Sequence, residues 1–213
     1  MLAAVGLLAV VSGALTVALM HVVGPSARVS LIRRTISEYA LLDNGWVFNL
    51  AVLALAAGSF AVLLAMLRSG LVAPASLGAL ALLLWSLGLA GVVLFPKHNW
   101  AVGPSMSGDL HRVASLVAFL GLPLAALAIG ARWRRDPRWR PYAVVALGLG
   151  ALCLLSFSPL AYAIVSQPLT GVRWWRAIPL GAVERTLALV EVVTVLALGW
   201  WASRAARLHA SGR

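Results

Sequence analysis

Six apolar stretches, each long enough to cross a bilayer as a helix, alternate along the chain with shorter segments rich in Arg, Pro, Gly and Ser. The pattern predicts helices over residues 2–23, 46–67, 75–95, 110–131, 142–165 and 178–201. A hydrocarbon core about 30 Å thick takes roughly 20 residues of helix, which is the length of each run. The expected fold is therefore all-α: a polytopic membrane protein, a six-transmembrane-helix bundle forming a single transmembrane domain over residues 1–213. The first run starts directly after Met1 with no basic segment and exceeds the roughly 7–15 residues of a signal-peptide core, so it reads as a retained helix.

The polar segments carry the information that the apolar runs lack. Residues 24–44 form the longest, with Arg28, Arg33, Arg34, Glu38 and Asp43 among Ser and Thr. Pro96 ends the third run and opens a second polar loop, 97–109, in which Gly103, Pro104 and Gly108 favour turns. Arg132, Arg134, Arg135, Arg138 and Arg140 crowd together before the fifth run. Tryptophans 46, 100, 133, 139, 174, 175, 200 and 201 fall at the ends of the runs, where interfacial belts form. Gly78, Gly88, Gly91, Gly148 and Gly150 are expected to let helices approach closely.

Composition agrees with the pattern: 62% of the 213 residues are hydrophobic and 11% charged, which excludes an ordinary soluble domain. The net charge of +11 does not mark a nucleic-acid binder, because the basic residues flank apolar runs instead of forming a soluble basic patch. They read as topology signals. The positive-inside rule puts the five-arginine loop in the cytoplasm, with nine basic residues on that side against eight on the other. Both termini are then cytoplasmic. Sixteen of the 17 basic residues are Arg, and Ala, Leu and Gly abound, which suits a GC-rich bacterial genome and the plasma (inner) membrane of a bacterium. The single cysteine, Cys153, lies in an apolar run and permits no intrachain disulfide.

With that topology, Arg33, Arg34, Ser37, Glu38, Asp43, Lys97, His98, Asp109, His111, Arg112, Glu184 and Arg185 converge on the extracytoplasmic mouth of the bundle. Two roles fit them: ion pairs that pin the loops over the helix ends, or the polar floor of a pocket with apolar walls. The residues selected as ligand-binding are Arg34, Ser37, Glu38, Asn49, Asp109, His111, Glu184 and Arg185. His98, Asp109 and His111 present a carboxylate and two imidazoles, but at a loop spacing too common to assign a metal, and no cofactor is expected. Glu191 sits seven residues after Glu184, on the same helix face and near mid-membrane, where an ionisable group marks a pathway or binding site unless it is hydrogen-bonded to a neighbour such as Asn49, Ser86, Ser156 or Tyr162.

Several short motifs resemble a family of multi-pass bacterial membrane proteins of unknown function, DUF998, in order along nearly the whole chain. They are Thr35-Ile36-Ser37-Glu38 before Gly45-Trp46 and Asn49, Phe95-Pro96, Gly108-Asp109-Leu110-His111, Arg134-Arg135-Asp136-Pro137, and Gly181-Ala182-Val183-Glu184-Arg185. Two positions depart from the family pattern: Lys97-His98 stands where Thr-Asp is frequent, and Glu184 where Gln is frequent. The resemblance implies a six-helix membrane protein and no known activity. A looser likeness links the Ile-Ser loop and the His at a helix start to Frag/DRAM-type membrane proteins.

The function expected from these features is a pocket that binds a membrane lipid or other apolar small molecule. Two alternatives are an intramembrane enzyme acting on a lipid or prenyl substrate, with Glu38, Asp109 or Glu184 as acid or base, and a small proton-coupled transporter using Glu184 and Glu191. The sequence does not fix the oligomeric state.

Overall fold

In the computed structural model of the protein, residues 1–99 and 101–211 are described; Trp100 and Arg213, assigned above to a belt and to the basic tail, lie outside them. Six long helices dominate: α1 (Leu2–Met20), α2 (Gly45–Arg68), α3 (Leu77–Leu94), α4 (Met106–Trp133), α5 (Arg140–Thr170) and, after the one-turn α6 (Trp174–Ala177), α7 (Leu180–Ser211). All six are long and apolar enough to cross a membrane. No strand occurs among the described residues.

Neighbours in sequence pack as neighbours in space. The order α1–α2–α3–α4–α5–α7 closes into a ring through α1 against α7, and α7 also leans inward on α2 and α4. Small residues set the close approaches. A Cβ on Gly58 of α2 would meet the Gly6 carbonyl of α1 at 2.7 Å, and one on Gly88 of α3 would meet the Ala114 carbonyl of α4 at 2.8 Å. Gly78, Gly91 and Gly150 pack as the sequence suggests, whereas Gly148 meets nothing within 4 Å and faces outward.

Helix ends differ from hydropathy where polar residues join a helix or apolar ones leave it. Val22 and Val23 extend the first apolar run, yet α1 stops at Met20, its last turn tightened by i→i+3 bonds from His21 to Ala18 and from Val22 to Leu19. α4 starts four residues early because the Ser105 hydroxyl accepts the Gly108 N–H (3.1 Å) as an N-cap, bringing Asp109 into the first turn. α5 continues to Thr170, where Gly171 adopts a left-handed cap at φ +66°. Inside it, Pro159 cannot bond the Leu155 carbonyl; the Ser158 hydroxyl does so instead at 2.7 Å. α7 runs ten residues past Trp201, so Arg204 and Arg207 are helical.

Two tryptophans assigned to the interfacial belt belong to the core. Trp139 and Trp201 are buried, and Tyr142 stacks on Trp201 at 5.8 Å between centroids. Trp46 and Trp200 remain exposed, as a belt requires.

Candidate functional site

The face that carries the loops 21–44, 95–105 and 171–179 gathers most of the polar side chains, and a second helix terminus explains how. Gly181 opens α7 directly under the 31–34 loop, where its N–H and that of Ala182 donate to the Ile32 carbonyl at 2.9 and 3.2 Å. A Cβ on Gly181 would collide with the Leu31 and Arg34 carbonyls, so only glycine allows this seat. One turn on, the Glu184 carboxylate accepts the Ile36 N–H at 2.8 Å. Arg185 fastens the loop from beneath: it donates to the carbonyls of Leu31 (3.0 Å), Arg34 (2.7 Å) and Gly181 (3.0 Å), to the Tyr39 hydroxyl (3.1 Å) and to His21 Nε2 (2.9 Å). His21 Nδ1 in turn contacts the Val17 carbonyl at 2.7 Å, which fixes the proton on Nδ1 and leaves Nε2 as acceptor. Tyr39, fully buried, stands edge-on to both His21 and Phe48.

The neighbouring loop is tied in by a second set of contacts. Lys97 donates to Glu38 (2.9 Å) and to the Thr35 hydroxyl (2.8 Å), and Arg34 approaches Glu38 at 3.7 Å. His98 accepts the Ser105 N–H on Nδ1 at 2.9 Å and faces Asp109 with Nε2 at 3.3 Å, its ring packed on Gly108. His111 turns Nδ1 to the Val92 and Phe95 carbonyls at the end of α3 (3.1 and 2.9 Å). The two histidines therefore serve as staples, and no group of three His, Cys, Asp or Glu able to hold a metal ion occurs among the described residues. Glu38, Asp109 and Glu184 each have a partner in the fold.

These braces roof an outer cavity of about 630 Å³ between α4, α5, α6 and α7. Arg34, Ser37, Glu38, His111 and Glu184, all selected from sequence, line it. Asp109 stands beside it, holding His98 and Arg112; Arg185 lies behind it; Asn49 lines neither this cavity nor the inner one described next. The selection missed the walls: Leu116 and Phe119 of α4, Leu160 and Ile164 of α5, and Leu187 of α7. It also missed Arg173, Trp174 and Trp175, which read as a short connection and a membrane belt but border the cavity from α6 and the residue before it. Arg33, Arg34, Lys97, Arg112 and Arg173 set five cationic side chains in the lining against the two carboxylates of Glu38 and Glu184.

An inner cavity of about 360 Å³ continues toward the middle of the bundle, sharing Ser37, Ser115, Phe119 and Glu184 with the outer one. Glu191 lies in its lining, 1% exposed, and Oε1 has no hydrogen-bond partner among the described residues. Of the four neighbours considered for it, Ser86 donates to the Leu82 carbonyl (3.1 Å) and Tyr162 is exposed.

Residues 4–201 match the model of a family described as a protein of unknown function, DUF998. No curated protein and no solved structure matches the chain.

Proposed function

Since the chain belongs to the DUF998 family of multi-pass membrane proteins, whose activity is unknown, we propose a function from the cavity itself: it binds an amphipathic membrane lipid with an anionic head group. The observation that carries this reading is the pairing of apolar walls with a cationic rim in one 630 Å³ space, a volume in the range of ligand pockets. Arg33 and Arg173 are exposed at the rim, Arg173 over the Trp175 ring at 5.4 Å, and there a phosphate or carboxylate gains charge-assisted hydrogen bonds. Leu116 and Ile164 line the cavity and are 44% and 47% exposed, which supports a way in from the bilayer for an acyl or prenyl chain.

The chain is read as a protein of the bacterial plasma membrane with both termini cytoplasmic and the cavity at the extracytoplasmic side. Six crossings return the chain to the face from which it started, and the cluster Arg132–Arg140 supports the cytoplasmic placement of that face. Three of the carboxylates, Glu38, Asp109 and Glu184, are gathered at the other face.

Thermal unfolding in a neutral detergent tests the reading. Added single-chain phospholipid with an anionic head is expected to raise the midpoint of the wild type more than its zwitterionic counterpart does, and the Arg33→Gln, Arg173→Gln double variant to lose that difference. Equal shifts for both lipids in the wild type would refute head-group recognition.

A further inference from the structure

The inner cavity has the opposite chemistry to the outer one. A carboxylate buried near mid-membrane with an oxygen lacking any partner is costly, and where it persists it marks a functional group. Glu191 lies two turns below Glu184 on α7, roughly 10 Å deeper at 1.5 Å per residue. Around it the lining is aliphatic and aromatic, including Val52, Leu55, Trp85, Leu89 and Phe119. The basic side chains that border the space, Arg185 and His21, stand at its loop end and are bonded to each other, to Tyr39 and to backbone carbonyls. Cys153 and Thr194, the buried polar pair nearby on α5 and α7, contact each other at 3.3 Å. Nothing in the fold supplies Glu191 Oε1 with a hydrogen-bond donor among the described residues.

From the orphaned carboxylate, the aromatic walls and the enclosed volume, we propose that the inner cavity is a second binding site, for a lipophilic amine whose ammonium pairs with Glu191 and whose apolar body fills the chamber. An ammonium satisfies the carboxylate with charge and N–H together, and the chamber that Trp85 and Phe119 help to line has the aromatic character that attracts a cation. A neutral alcohol supplies only the hydrogen bond, and an anion offers Oε1 no donor at all. The route of entry differs from that of the outer cavity. Ala18 of α1 and Leu189 of α7 are exposed and line the inner space, which supports an approach from the bilayer between α1 and α7 that does not pass the cationic rim. This inference goes beyond the anionic-lipid reading and does not depend on it.

Calorimetric titration of the full chain in detergent with 4-phenylbutylamine, 4-phenylbutanol and 4-phenylbutanoate tests it. The amine is expected to bind saturably and more tightly than the other two, and to lose about tenfold or more in affinity in Glu191→Gln, while the alcohol changes little. Ala188→Phe, which fills the chamber one turn above the carboxylate, is expected to remove amine binding with Glu191 intact. Absence of saturable amine binding to the wild type, or equal amine affinity in wild type and Glu191→Gln, overturns the proposal. A second measurement needs no ligand: if the carboxylate is kept for a ligand and not for the fold, Glu191→Leu raises the thermal midpoint of the empty protein, and a lowered midpoint overturns the proposal by showing a structural role. Failure here is separable from failure of the outer reading, which is scored on anionic lipid and on Arg33 and Arg173.

Discussion

At the scale of single residues, Arg185 and Arg33 show how two arginines within the same polar cluster can do unrelated work. Arg185 makes five hydrogen bonds that join α1, the 31–39 loop and α7, two of them to carbonyls of the 31–34 loop, which lie outside any helix. Arg185→Gln is expected to cost roughly 2–4 kcal/mol, since hydrogen bonds to a charged group contribute more than neutral ones and the part-buried acceptors on His21, Tyr39 and Gly181 lose this donor. Arg33→Gln, at an exposed rim position, is expected to stay within about 0.5 kcal/mol. Chemical or thermal unfolding of the two variants in detergent separates the cases; equal losses would mean that Arg185 does not hold the loop. The sequence placed both arginines at one mouth of the bundle but had no means of telling brace from rim, because that depends on which carbonyls the 31–34 loop turns toward α7. His21 and Tyr39 went unnoticed for a related reason: a histidine at the end of an apolar run and a tyrosine beside Ser37-Glu38 acquire meaning only through Arg185.

At the scale of helices, packing is decided by which glycines face a neighbour. Gly58 and Gly148 look alike in the sequence, each a glycine among other small residues in an apolar run. In the fold, Gly58 lies against the backbone of α1, and Gly148 faces outward. Gly58→Leu is expected to push α1 from α2 and to destabilise by about 1–3 kcal/mol, the usual cost of overpacking. Gly148→Leu should leave the thermal midpoint unchanged or slightly higher, because it removes a glycine from a helix interior without meeting another atom. A midpoint that falls equally in both would contradict the assigned packing. Hydropathy located all six long helices because length and apolarity alone identify a crossing. It misplaced the ends of α4, α5 and α7 because Ser107, Asp109, Ser166, Gln167, Arg204 and Arg207 are polar yet helical, and a hydropathy reading ends a helix where polarity begins.

At the scale of the whole molecule, the bundle is tight where the sequence is rich in small residues and open where α4, α5 and α7 meet beneath the loops. Burial along α2 is extensive, whereas much of α1 and α5 faces outward, as expected for helices that border lipid. The open corner combines apolar walls with exposed arginines, and the proposal of a bound anionic lipid rests on that combination. The polar half of the cavity lining was legible in the sequence because Ser37, Glu38, His111 and Glu184 stand next to helix ends. The apolar half was not, since Leu160 or Leu187 cannot be told from any other leucine of a span until the helices are placed.

Native mass spectrometry of the protein released from nanodiscs, wild type beside a Leu116→Trp, Ile164→Trp variant that fills the lateral opening, tests that claim most directly. The account predicts a discrete bound mass in the wild type that fragments to an anionic amphiphile and is lost in the filled variant. Bare protein in both samples, or the same adduct in both, would contradict it.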